Sequence, residues 1–170
     1  MGLSVDGAFS VLMMDIPPTQ TGVGNRMYPE LMVIPMREEL TGLGIEELRL
    51  PEDVDRFVKR PGVNMIVVNS ICGCAAGRMR PAVRAALQHN NLPDAIGTVF
   101  AGQDRDATDH ARSYFTGYPP SSPCIALLQD GKLVYLMQRS DIEHRDAGDL
   151  SAELTRTFDR FCGQKSVLQA

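Results

Sequence analysis

The sequence predicts an α/β chain: a mixed sheet with a parallel part built by crossovers, an antiparallel edge, and helices over both faces. Three observations carry this. Residues 63–69 read Val-Asn-Met-Ile-Val-Val-Asn, a short β-branched run between breakers, as expected of a central strand buried on both faces. Segments of helical period alternate with short apolar runs along most of the chain. Asp130-Gly131, between the apolar stretches 124–129 and 132–138, is the strongest short hairpin signal a sequence offers.

Each element follows in order. Residues 1–26 carry Asp15-Ile16-Pro17-Pro18 and no sustained period, which predicts an N-terminal extension over residues 1–27 with no chemistry of its own. In residues 28–43, Leu31, Met32, Met36, Leu40 and Leu43 suit one helical face. Pro35 forces a kink or a fresh helix start there, and Gly42 and Gly44 close the segment. Pro51 suits the first residue of a short helix, with Glu52 and Asp53 in its positive first turn and Val54, Phe57 and Val58 on one face. The strand at 63–69 runs at once into Cys72-Gly73-Cys74. Residues 75–89 then place Met79, Val83, Ala86 and Leu87 at helical intervals around Pro81, so a strand turns directly into a bent helix.

Residues 95–101 predict another strand, and Asp106 caps a helix bearing Ala107, Ala111, Tyr114 and Phe115 until Gly117 stops it. Residues 118–123 pack three prolines and two serines into a rigid connection before the hairpin. A polar stretch, 140–148, leads to a last helix whose apolar stripe is Leu150, Leu154, Phe158, Phe161 and Cys162, with Asp149 or Ser151 as its cap. The folded unit is expected over residues 28–162, followed by a tail at 163–170.

Composition removes several classes of function. The 170 residues fit one domain. A net charge of -4, from 17 Lys plus Arg against 21 Asp plus Glu, offers no global basic field, so neither nucleic acid nor an anionic membrane is expected as a partner. The apolar runs fall far short of the ~20 residues that span a bilayer. Residues 1–7 contain no Lys or Arg, which is unlike the start of a secretory signal and predicts a cytoplasmic protein. In a reducing compartment, a closely spaced pair among Cys72, Cys74, Cys124 and Cys162 signals redox chemistry or metal rather than structural disulfides.

A cysteine where a buried strand gives way to a helix turns its sulfur toward unsatisfied backbone N–H groups and the positive end of the helix dipole, which favours thiolate. Cys72 holds that position. Arg78 and Arg80, in the following turns, either add favourable potential or point to solvent. With one residue between them, Cys72 and Cys74 can bring their Cα atoms to ~5.5–7 Å, at the edge of disulfide geometry, so a bridge is expected to be strained and easily reduced. Gly73 is expected to supply the backbone freedom such a ring needs. A metal site needs further ligands at recognisable spacing, and Cys124, Cys162, His89, His110 and His144 are scattered, so no metal is expected. The histidines are read as solvated helix ends or turns.

The motifs Asn69-Ser70-Ile71-Cys72-Gly73-Cys74-Ala75-Ala76-Gly77, Phe100-Ala101-Gly102-Gln103-Asp104, Tyr114-Phe115-Thr116-Gly117 and Pro120-Ser121-Ser122-Pro123, in this order, resemble the bacilliredoxins. That family has a thioredoxin-like fold and a CGC active site. The resemblance implies thiol-disulfide exchange that removes bacillithiol, a low-molecular-weight thiol, from proteins carrying it as a mixed disulfide; bacillithiol is then a co-substrate and no cofactor is needed. It implies that Cys72 attacks and Cys74 is its partner, and that Gly73 and Pro123, at the cis-proline position, border the substrate. Cys124 departs from the serine usual at its position, and is either an auxiliary thiol near Cys72 or a small residue starting a strand. Cys162 matches a family cysteine and also fits core packing. Alternatives are a general disulfide isomerase or reductase, a metal or iron–sulfur module built on Cys72, Cys74 and Cys124, and a redox-silent scaffold.

Overall fold

The computed structural model describes residues 27–163. Five strands form one sheet: β1 (Glu46–Glu47), β2 (Val63–Asn69), β3 (Ala95–Phe100), β4 (Cys124–Gln129) and β5 (Lys132–Met137). Their order is β1-β3-β2-β4-β5. β1, β3 and β2 run parallel, β4 lies antiparallel to β2, and β5 antiparallel to β4. This is the mixed, thioredoxin-like arrangement that the resemblance implies. The expected extension and tail fall almost wholly outside the described residues.

Period-two alternation along the strands divides the core in two. Val63, Met65, Val67, Ile125 and Leu127 face a layer made by Leu40 of α1 (Glu30–Thr41), Ala82 and Val83 of α3 (Arg80–Ala86), Ile142 of α5 (Arg139–Ile142) and Leu150, Leu154 and Phe158 of α6 (Ala147–Phe161). Ile66, Val68, Ala126 and Leu128 face the opposite layer, with Val54 and Phe57 of α2 (Pro51–Val58) and Ala107 and Ala111 of α4 (Arg105–Ser113). β2, buried at every position, is the centre that both layers share. At the hairpin, Asp130 (φ 49°) and Gly131 (φ 78°) both lie in the left-handed region, the turn that Asp-Gly predicts.

Several boundaries differ from expectation. β1 is two glutamates on the sheet edge, with no apolar pattern; Gly97 and Thr98 pair with its backbone, and Arg37 and Arg60 take its carboxylates. Pro35 neither breaks α1 nor restarts it. The carbonyl it leaves without a donor belongs to Leu31, on the exposed side of the helix. α4 begins at Arg105 with Asp104, not Asp106, at its N-cap, although Asp104 spends its carboxylate on Arg37. α6 starts earlier than Asp149 or Ser151 would allow, because Asp146 accepts the Asp149 N–H at 2.8 Å. The short helix α5 overlaps the polar stretch 140–148, for which no separate element is expected.

Candidate active site

Cys72 sits where β2 hands the chain to a helix, and the approach is clamped. Arg80, almost fully buried, donates to Asn69 Oδ1 and to the Ser70 carbonyl, each at 3.1 Å, and pairs with Glu39 at 2.8 Å. Asn69 Nδ2 donates to the Met36 carbonyl at 3.0 Å. The helix then begins at Gly73, and the Cys72 carbonyl accepts its first bonds, from the Ala75 and Ala76 N–H groups at 3.0 and 3.1 Å. Cys72 is therefore the N-cap residue, and its Sγ does what a Ser or Asp oxygen does there, accepting the Ala75 N–H at 3.3 Å. A π-helical turn, Ala75–Met79, joins this start to α3, a local irregularity that recurs at functional sites.

Two more donors converge on the same sulfur. Ser70 Oγ donates to Cys72 Sγ at 3.3 Å, and Cys74 Sγ stands 2.6 Å away. Burial works against ionising Cys72, but the Cys74 and Ser70 side chains and the helix-start amides of Ala75 and Cys74 together outweigh it and pull its pKa below the ordinary thiol value. Cys74, 8% exposed, moves the other way: burial, its bond to Cys72 and the repulsion of the Cys72 thiolate hold its proton on. One thiol is thus primed as a nucleophile, and its neighbour keeps the proton.

Of the two arginines singled out by proximity in sequence, Arg80 plays a different part. Arg80 is the strut of the preceding loop. The cation that bears on both sulfurs is Arg139, on α5, whose charge favours ionising Cys74 and whose own pKa is raised first by its hydrogen bond to Glu143 and then by the two sulfurs. An open cleft beside Cys72 is lined by Arg105, Arg112 and Arg139, residues that carry no motif in the sequence.

A family model described as Disulphide isomerase matches residues 28–162. A bacilliredoxin of Koribacter versatilis is 59% identical over 138 residues, covering 81% of this chain and 95% of that protein. The chain belongs to the bacilliredoxin family. Other bacilliredoxins, of Cytophaga hutchinsonii and Geobacillus kaustophilus, are 51% and 49% identical, covering 78% and 74% of this chain and 98% and 87% of theirs. Among solved structures, the oxidised thioredoxin of Plasmodium falciparum superposes with a TM-score of 0.49 at 10% identity, covering 66% of this chain and 97% of that one.

Family membership together with a primed, facing thiol pair makes this chain a thiol-disulfide oxidoreductase. The other positions singled out in the sequence are placed as follows. The Ser122–Pro123 peptide is cis, and Pro123 is buried, with Ser122 on the wall of the Cys72 cleft. Gly73 is exposed, has no left-handed φ in this thiol form, and a Cβ there would meet nothing within 4 Å. Cys124, 1% exposed, packs in the layer opposite Cys74, and burial pushes its thiol up to about 12. Cys162 is half-buried against the α6 side, raised by burial to about 11.

Among the described residues, no group of three or more His, Cys, Asp or Glu is placed to hold a metal ion, and no helix is long and apolar enough to cross a membrane. His89 meets Asp159 at 2.7 Å and His110 meets Asp55 at 2.6 Å, both ties between elements away from the thiols.

Proposed function

We propose that this chain removes bacillithiol from proteins that carry it as a mixed disulfide. The observation that carries this reading is Cys72 Sγ in the N-cap position, open to a cleft on one side and backed by the protonated, buried Cys74 on the other. The Cys72 thiolate attacks the bacillithiol sulfur, a new S–S bond forms, the old one breaks, and the client cysteine leaves as thiolate. Cys74 then attacks Cys72 and expels bacillithiol, or a free bacillithiol attacks the captured one and restores Cys72. Pro123 and Gly73 border the approaching client, and the backbone ahead of Pro123 is available to pair with its chain.

Reduced protein mixed with a bacillithiolated client and followed by mass spectrometry tests this. Release of client thiol is expected, with loss of release in Cys72→Ser and a trapped bacillithiol adduct in Cys74→Ala. Full release by Cys72→Ser removes the assignment. The family model's description as a disulphide isomerase favours a second reading, rearrangement of protein disulfides. A Cys72/Cys74 reduction potential near the thioredoxin value of roughly -270 mV argues for a reductant and against isomerisation.

A further inference from the structure

Ser70 Oγ reaches Cys72 Sγ at 3.3 Å, but sulfur is a weak acceptor, so this bond is not what holds the loop. The loop must bring the hydroxyl to the sulfur. Ser70 is buried, and both of its peptide groups are taken: its N–H donates to Asn69 Oδ1 at 2.9 Å, and its carbonyl accepts Arg80 Nη1 at 3.1 Å. The same Nη1 donates to Asn69 Oδ1 at 3.1 Å, so one guanidinium nitrogen closes a ring of hydrogen bonds around the Ser70 backbone.

The ring is anchored to α1 twice, where Asn69 Nδ2 donates to the Met36 carbonyl at 3.0 Å and where Arg80 Nε meets Glu39 at 2.8 Å. Arg80 is 3% exposed, whereas its carboxylate partner is 42% exposed. An ion pair placed in this way adds little stability over apolar side chains of the same size, because desolvating the charge offsets most of the attraction. What sets it apart is geometry. A planar guanidinium serves Glu39, Asn69 Oδ1 and the Ser70 carbonyl in fixed directions, which neither an ammonium nor an apolar chain can do.

We propose that Arg80 is a positioning residue for the attacking thiol: by closing this ring it fixes the Ser70 backbone and keeps the Ser70 hydroxyl on Cys72 Sγ, with Glu39 holding Arg80 in place. Arg80 acts through Ser70 and not through its charge. The two modes of action differ in sign at Glu39. If charge were the agent, removing a nearby anion would ease ionisation of Cys72; removing the anchor of a positioning residue instead withdraws a donor from the thiolate and hinders it. The inference rests on Cys72 being the attacking thiol and is indifferent to which disulfide it attacks.

Alkylation of Cys72 against pH in reduced full-length protein tests it, in Glu39→Ala, in Arg80→Lys, and in each of these combined with Ser70→Ala. Arg80→Lys keeps the charge and loses the fork. Both single variants should raise the inflection, Arg80→Lys by up to about 0.4–1 unit, the step expected of Ser70→Ala itself, and Glu39→Ala by less. Well below the inflection, the rate in Arg80→Lys should fall roughly two- to tenfold. In the Ser70→Ala background neither change should raise the inflection further, because the hydroxyl they act through is gone. A fall or no change in Glu39→Ala, or a rise that persists in Ser70→Ala, overturns the inference. So does an Arg80→Lys profile that matches the wild type. Should Arg80→Lys fail to fold, Glu39→Ala and its double variant decide alone. No disulfide enters this readout, so its failure leaves the exchange reading standing; that reading falls only on full client release by Cys72→Ser.

Discussion

Removing one donor from Cys72 should move its titration by a predictable amount. Three kinds of group stabilise the Cys72 thiolate: the Ser70 hydroxyl at 3.3 Å, the Cys74 thiol at 2.6 Å, and amides at the helix start, including Ala75 at 3.3 Å. A single hydrogen bond contributes about 0.5–1.5 kcal/mol net, and one pH unit corresponds to about 1.36 kcal/mol. Ser70→Ala should therefore raise the Cys72 pKa by about 0.4–1 unit. Cys74→Ala should raise it by a similar step, and Cys74→Ser, which keeps a donor, by less. The amides survive every substitution but so does the burial that opposes them, and Ser70→Ala/Cys74→Ala should raise the pKa further than either single change. The assay is the rate of Cys72 alkylation against pH in reduced protein, read on the Cys72 peptide. Because a lowered pKa means thiolate at lower pH, the rate should climb and level off before an ordinary thiol would. A wild-type inflection at or above the ordinary thiol value of about 8.5, or no shift in Ser70→Ala, would refute the account of how this sulfur is held ionised.

Three further outcomes are expected. Arg37, 5% exposed, joins Glu47 and Asp104 at 2.7 and 2.6 Å across the face of Phe100, so Arg37→Met strands a buried carboxylate and should cost about 3–5 kcal/mol in urea unfolding. A loss under about 1 kcal/mol would mean that the pair is structurally idle. At Gly97 an added Cβ would lie 2.8 Å from Leu48 and 3.0 Å from Phe57, so Gly97→Ala should cost about 1–3 kcal/mol by the same measurement, and a neutral result would show this layer to be loosely packed. With its pKa near 12, Cys124 stays protonated at pH 8 and should resist alkylation in the native reduced protein while Cys72 reacts; labelling of Cys124 at a comparable rate would place it in the exchange chemistry after all.

The parts of the fold legible in the sequence are those that a local pattern decides. β2 and the β4–β5 hairpin are β-branched or apolar runs with strong punctuation, and the limits of β2 and β4 match the expectation. The missed pieces are decided by distant partners. β1 is two glutamates that become a strand only because β3 offers them a free edge. The caps of α4 and α6 fell among nearby acids, Asp104 against Asp106, where the distant Arg37 takes the Asp104 carboxylate, and Asp146 against Asp149, where the choice is a local bond from the Asp149 N–H to Asp146. At the site, the cysteine pair announced itself through its spacing. Arg139 did not, since a surface arginine far along the chain has no local signature, and Arg80, which looked electrostatic, is spent on the Asn69–Ser70 loop.

The one-residue spacing of the cysteines has a physical consequence that a helix alone cannot deliver. Side chains two apart on a helix diverge, so a pair wholly inside one would hold its sulfurs apart. Here Cys72 stands outside the helix as its cap while Cys74 lies in the first turn, and the sulfurs face each other at 2.6 Å. The division of charge follows from that placement. At Cys72 the amides and the Ser70 and Cys74 side chains outweigh burial, whereas at Cys74 burial and the neighbouring thiolate act together, so the proton rests on Cys74 as long as Cys72 is a thiolate. Once Cys72 is consumed in a mixed disulfide its charge is gone, and with it the repulsion that helped keep Cys74 protonated, whereas the field of Arg139 remains. The second thiol thus becomes easier to ionise only after the first has reacted, so the order of the two steps is set by the electrostatics of the pair.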